Sequence, residues 1–409
     1  MSVSIDVATT GHAAAEAGML SGFTVVELAG LPGQLCGRIL ADLGTDVIKV
    51  EPPGGDPVRN MSPFHREESV RFAYLNSGKK SVVFDLDRQA GRDQLHDLIG
   101  GADILLVAPG SDSVEHLGVP LELLADRHDR LVIVSITGFG RSGPFADYLY
   151  TDIVALAMGG LMAVSGSPEL PPVHAPETQA YYFASVFGAQ GAALALLRRE
   201  TGYGKGAIVD VSIQQTLASI EQLVRIFGLE GRVVRRTGSQ HKHVAPARIY
   251  PTKDGFISLF VTDHHWKAFL DAWLDHPPEL DDPALVRTRQ RMARLDMINA
   301  EVRNLTARYT NVEFVALMND AGVPCTPVNS LADFLTDDQT RQRGVEMPVT
   351  HPGLPPAVQV AFPAIIDGHR PPTRRAPRLG EHTSEVLSGH LRLSAADQDA
   401  LDRKGASRS

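Results

Sequence analysis

Residues 22–51 read GFTVVELAGLPGQLCGRILADLGTDVIKVE, and the order of textures in that stretch decides the fold. VVEL is a short apolar run of strand character, AGLPGQ a tight turn, LCGRILADLG an apolar-periodic helix and DVIKVE a second strand. Together they spell a βαβ unit with two parallel strands. Gly44 is placed to end the helix, and Glu51 closes the second strand before the turn Pro52, Pro53, Gly54, Gly55. Outward from this unit the pattern repeats more loosely: SVVFDL (81–86) as strand, 88–100 as helix, then DILLVA (103–108) and LVIVSITGFG (131–140) as strands. After Tyr150 the chain turns helical and rich in small residues, with a long apolar helix over 183–199, a strand AIVDVSI (207–213) and a helix over 214–228. A basic stretch, RVVRRTGSQHKHV, then introduces a strand GFISLFV (255–261) and an amphipathic helix around 266–274. The expected organisation is an α/β protein with a loose arm at 1–21 and a large domain at 22–230. A small domain at 235–325, a proline-punctuated segment at 326–395 returning to the large domain, and a tail at 396–409 complete it.

The chain has 409 residues, enough for two or three domains or one large domain with an insertion. Its 43% hydrophobic and 21% charged residues are those of a globular protein and not of a disordered one. Lys and Arg number 39 against 48 Asp and Glu, so no overall basic field exists to attract nucleic acid or an acidic membrane. The two cysteines, Cys36 and Cys325, are too few for a disulfide framework and suit a reducing compartment. The most apolar runs fall short of the ~20 residues of a membrane span, and a cytoplasmic location is expected.

Local chemistry leaves several readings open. The first turn carries Gly30, Gly33 and Gly37 at the entry to a helix, where backbone N–H groups can hold phosphate, but it lacks the dinucleotide-binding glycine spacing. Lys79 and Lys80 open a strand after Gly78, a candidate phosphate site. His241 with His243, and His264 with His265, lack the helical spacing of a zinc hydrolase, so no metal is expected. Asp263 with His264, leaving a strand end, is a candidate acid/base pair.

Eight stretches in one order resemble the class III CoA-transferase family, that of formyl-CoA transferase, L-carnitine CoA-transferase and α-methylacyl-CoA racemase. They are residues 22–59 (the opening unit through DPVR), LNSGKKSVVFDL, ITGFGRSGP, MGGLMAVSG, TGYGKGAIVDVS, ARIYPTKDGFISL, AGVPCTPVN and APRLGEHTSEVL. The resemblance implies a Rossmann-like parallel-sheet large domain built from both chain ends, a smaller inserted α+β domain, and two subunits interlocked as a dimer. It implies coenzyme A as (co)substrate in the large domain, with contacts mapping onto Ala29, Gly30, Leu31, Pro52, Gly78 and Lys79. The partners it implies are an acyl thioester or carboxylic acid.

Departures from the family pattern bear on mechanism. In the transferases an aspartate attacks the acyl-CoA, giving an anhydride and then a thioester; counted from PPVHAPETQAYYFAS, that position holds Tyr181, and no Asp occurs between Asp152 and Asp210. The racemases' histidine position holds Thr151, and their small-domain glutamate lands near Asp263 or His264. Where the family often reads VENF stand Val107, Ala108 and Pro109, and His116 replaces a phosphate-meeting arginine. Candidate catalytic groups are therefore Tyr181 as proton donor or oxyanion partner, Asp152, Glu177 if it reaches the site, and Asp263 with His264. Three readings follow. The chain is an enzyme using a thioester by altered chemistry, a non-catalytic subunit of a hetero-oligomer whose paralogous chain supplies the aspartate, or a homodimeric enzyme that has lost CoA dependence.

Overall fold

The computed structural model describes residues 18–108, 117–220 and 223–398. Most of the expected arm and tail, together with Pro109 and His116, lie outside the described residues.

The opening unit forms as β1 (Thr24–Ala29), α1 (Gln34–Asp42) and β2 (Asp46–Glu51). Then follow α2 (Val70–Leu75), β3 (Lys80–Val83), α3 (Gln89–Gly100), β4 (Ile104–Ala108), α4 (Leu121–Arg127) and β5 (Val132–Thr137). Next come α5 (Asp152–Met158), α6 (Gln179–Arg198), β6 (Ala207–Ser212) and α7 (Ile213–Ser219). The six strands pair in parallel in the order β3-β2-β1-β4-β5-β6, the doubly wound arrangement. In register, Val26 faces Ile48 on one side and Leu105 on the other. Every residue of β4, ILLVA, is buried, because helices cover both faces of a parallel sheet. Each such aliphatic side chain taken out of water contributes about 1.5–3 kcal/mol.

Two compact units divide the chain. The first combines Met1–Leu161, Ala175–Val224 and Gln339–Ser409; Val386 and Leu387, on the C-terminal helix Thr383–Gly389, lie in the same core as Val26, Ile48 and Phe84, so both chain ends build it. The second takes Met162–His174 and Arg225–Asp338. Its short leading segment is tied in by Arg236, whose guanidinium donates to the carbonyls of Ser167 (3.1 Å) and Leu170 (3.0 Å). The helix expected over 214–228 is broken into α7 and α8 (Leu223–Glu230).

The second unit holds an antiparallel sheet of β7 (Ala247–Pro251), β8 (Phe256–Phe260) and β9 (Cys325–Pro327), with β8 central. Helices α9 (Trp266–Ala272), α10 (Thr288–Ala293), α11 (Leu295–Thr306) and α12 (Asn311–Asp320) accompany it around a core of Tyr250, Trp266, Phe269, Trp273 and Phe314. The string TNVE starts α12 as a capping box, Thr310 accepting from the Glu313 N–H and Glu313 from the Thr310 N–H.

Helix α6 is apolar nearly all round and, with the turn to Tyr203, long enough to cross a membrane by length and composition. It is longer than the apolar run read from the sequence. Half of its most apolar window is buried, against α1, α7, β5 and β6, as in a core helix of an α/β unit.

Candidate active site

In a doubly wound sheet, ligands bind outside the carboxyl ends of the strands where the strand order reverses. Here that point lies between β1 and β4. Ala29, Gly30 and Leu31 leave β1 at this crevice, and the Gly30 N–H donates across it to the Ala108 carbonyl at 3.2 Å. Gly33 lets α1 start close under the strand ends: a Cβ there would stand 2.9 Å from that of Ala108 and 3.0 Å from that of Ala29. Ser185, from α6, pins the turn by donating to the Pro32 carbonyl at 3.1 Å. Beyond β4 and β5 opens a cavity of about 540 Å3 lined by Val107, Ala108, Val119, Ser135, Thr137 and Arg141, among others. The Arg141 guanidinium there is 2.7 Å from Glu122.

The Lys79 ammonium, read from the sequence as a phosphate contact, is turned into the interior in this structure. It is fully buried, 2.8 Å from Glu27, and donates also to the Gln34 carbonyl (2.7 Å) and Asn76 Oδ1 (2.9 Å). Residue 79 precedes β3 with its side chain turned into the core, so only its backbone is left to meet a ligand. Lys80 is likewise paired, with Asp46 and Glu385. The Lys79 ammonium belongs to a buried network in which Lys49 bridges Glu27 (3.2 Å) and Asp56 (2.8 Å), while Glu51 holds Arg59 through two 2.7 Å hydrogen bonds. Burial pushes Lys79 down to about 8 against the pull of Glu27. For Lys49, Asp56 and Glu27 outweigh burial and hold it above the ordinary lysine value. Pro52 follows β2 at the edge of this network, and Gly78, at a φ of 77°, takes a backbone conformation that suits glycine.

Tyr181 lies in the first turn of α6, 7% exposed. Asp152 comes to it from the start of α5 and accepts from the Tyr181 backbone N–H at 3.2 Å. Asp152 therefore serves α6 as a cap from another helix, since Thr178 makes no side-chain cap there. The phenol of Tyr181 is pushed up to about 12, by burial first and then by the Asp152 charge. The Tyr150 ring meets it edge-on at 6.3 Å, and the Tyr150 hydroxyl is buried without a hydrogen-bond partner. Glu177 is exposed and paired with Arg71 at 3.0 Å. The first unit thus gathers Tyr181, Asp152, Tyr150 and Thr151, with Asp152 the one carboxylate among the four.

In the second unit, Asp263 turns to α10 instead of pairing with His264. Its Oδ1 accepts from the Thr288 N–H and hydroxyl, both at 2.6 Å, and from Arg291 at 3.0 Å. Those bonds, Thr288 first, hold the carboxyl below the usual range, which removes it as a proton donor near neutrality. His264 is exposed. Arg291 is fully buried and donates also to the Leu285 and Val286 carbonyls, acceptors that no local sequence pattern announces. Among the described residues, no three His, Cys, Asp or Glu side chains group as metal ligands.

Over residues 20–383 the chain matches the model of CoA-transferase family III. It is 31% identical over 414 residues to the succinyl-CoA:(R)-benzylsuccinate CoA-transferase subunit BbsE of Thauera aromatica, covering 94% of this chain and 97% of that one. To the acetyl-CoA:oxalate CoA-transferase of Acetobacter aceti it is 32% identical over 371 residues, covering 89% and 94%. A solved CAIB/BAIF family protein from Brucella suis has the same fold, with a TM-score of 0.79 over 91% of this chain and 99% of that one, at 27% identity.

Proposed function

The chain belongs to CoA-transferase family III, and from that premise we propose that it serves CoA transfer between an acyl thioester and a carboxylic acid as the subunit without the nucleophile. A second chain of the family supplies the aspartate. The observation that carries this reading is the surroundings of Tyr181. Read against the family pattern, the attacking carboxylate is replaced by a buried phenol pushed up to about 12. The neighbouring carboxylates are engaged elsewhere, Asp152 at the α6 backbone and Glu177 with Arg71. A phenol cannot take a carboxylate's place in an anhydride.

Two further observations support it. The relative from Thauera aromatica is itself named as a subunit. Beside Tyr181, α6 exposes an apolar stripe of Phe183, Val186, Phe187, Leu194 and Leu197, the last two more than half exposed, which suits burial against another chain. The CoA moiety is assigned to the crevice at Ala29, Gly30 and Leu31 and the adjoining 540 Å3 cavity. That cavity also favours the second reading, in which this chain alone acts on a thioester by other chemistry.

The test is CoA exchange from acetyl-CoA or succinyl-CoA to a panel of carboxylic acids, measured for the purified chain and for its complex with the aspartate-bearing family chain that co-purifies with it. Exchange is expected only in the complex, surviving Tyr181→Phe and lost on replacing the partner's aspartate. Exchange by this chain alone, abolished by Tyr181→Phe, would overturn the proposal and establish the second reading.

A further inference from the structure

A second cavity, of about 220 Å3, lies in the first unit between α2 and a C-terminal hairpin, β10 (Glu346–Val349) and β11 (Ala357–Val360). Val70, Tyr74, Val349, Leu354, Val358 and Val360 give it apolar walls. Two polar side chains interrupt them. His351 is 7% exposed; the adjacent Pro352 carbonyl bears on its ring, but neither ring nitrogen completes a hydrogen bond of good geometry. Gln359 Nε2 is enclosed and equally without one. Buried polar atoms are normally satisfied, and each left bare costs about 1–3 kcal/mol. Three in the wall of one cavity point to an occupant that supplies their partners.

We propose that this cavity binds a small monocarboxylic acid, its carboxyl group against His351 and Gln359 and its hydrocarbon body against Val70, Tyr74 and Val358. A wholly apolar occupant would leave all three nitrogens bare. An alcohol brings one oxygen, whereas a carboxyl group brings two in one plane, enough to accept from the Gln359 amide and to share a proton with the imidazole. Burial pushes that imidazole below its usual value, against the adjacent Pro352 carbonyl and the Glu68 charge, while Arg375 and Arg59 add slightly to the push. Arg59 and Arg375 are already paired, with Glu51 and Glu381, so the acid is held by the His351 and Gln359 nitrogens and not by a free cation. Its volume is that of about seven waters, below the 300–1,000 Å3 or so of drug-sized sites. The occupant is therefore a compact acid, far smaller than a CoA thioester. The cavity shares no lining residue with the crevice at Ala29, Gly30 and Leu31, and its assignment does not depend on whether this chain transfers CoA.

The probes are benzoate and isovalerate, titrated calorimetrically into the full-length chain, with benzyl alcohol for comparison. Saturable binding of an acid is expected, with the alcohol weaker. His351→Leu and Gln359→Met should each weaken it about tenfold or more, and Ala73→Leu, which adds bulk to the wall, should abolish it. Gln359→Met, on an outer strand, keeps the test open should His351→Leu fail to fold. Binding unchanged in Gln359→Met and Ala73→Leu, or no saturable binding of either acid because water alone fills the cavity, would overturn the assignment.

Discussion

The carboxylate of Glu27 and the ammonium of Lys79 stand 2.8 Å apart with both side chains fully buried, and Gly37 on α1 leaves the space for that contact. A Cβ on Gly37 would lie 1.8 Å from Glu27 Oε2 and 3.1 Å from Lys79 Nζ. The glycine read from the sequence as part of a phosphate-binding turn is required by a charge pair underneath it.

Gly37→Ala should accordingly destabilise the fold by about 3 kcal/mol, since the methyl group displaces a buried paired carboxylate. Gly54→Ala, where an added Cβ meets nothing within 4 Å, should be nearly neutral. Urea unfolding midpoints of the two variants check the contrast.

Lys79 gives stability a pH dependence of known sign. Its native value, pushed down to about 8, lies below the ordinary lysine value of about 10.4. Between those values the unfolded chain binds the proton that the native chain has lost, so this residue's contribution to stability rises with pH. Lys79→Met should lack that rise, and the wild type should gain on the variant from about pH 8 to pH 10. Parallel stability curves over that range would refute the assignment.

Asp263 gives a dependence of the same sign in the acid range. Its carboxyl is held low by Thr288 and Arg291, so the stabilisation is present above the unfolded aspartate value and is lost as pH falls through the native one. Asp263→Asn should raise the midpoint of acid unfolding and leave CoA exchange by the complex within about twofold. A loss of exchange at unchanged stability would restore Asp263 as an acid/base group.

Gly188 brings α6 onto the sheet and α1. A Cβ there would sit 2.9 Å from Ile136 Cδ1 and 3.2 Å from Cys36 Sγ, so Gly188→Ala should cost about 1–3 kcal/mol by overpacking. Thermal unfolding monitored by circular dichroism measures it.

Neither cysteine should react in the native protein. Burial raises both thiols, Cys325 to about 12, and the thiolate is the reactive form. Labelling by a disulfide reagent should await local or global opening, and denaturant should accelerate both sites. Rapid labelling of Cys36 without denaturant would contradict its packing beside Gly188.

The sequence alone determined the βαβ opening, the parallel sheet and the place of the first crevice, because strand and helix periods and the turn at Gly30 are local properties of the chain. The family strings added the expected ligand, and the absence of an Asp between Asp152 and Asp210 was legible without any coordinates. Tertiary structure decided where the charges go. Lys79 meets Glu27 on β1, two strands over in the sheet. Asp152 caps α6 across 29 residues, and Asp263 answers Thr288 and Arg291 on a later helix. Periodicity reports which face of an element is apolar. It carries no information on which distant partner a buried charge will meet, and desolvation makes that meeting obligatory.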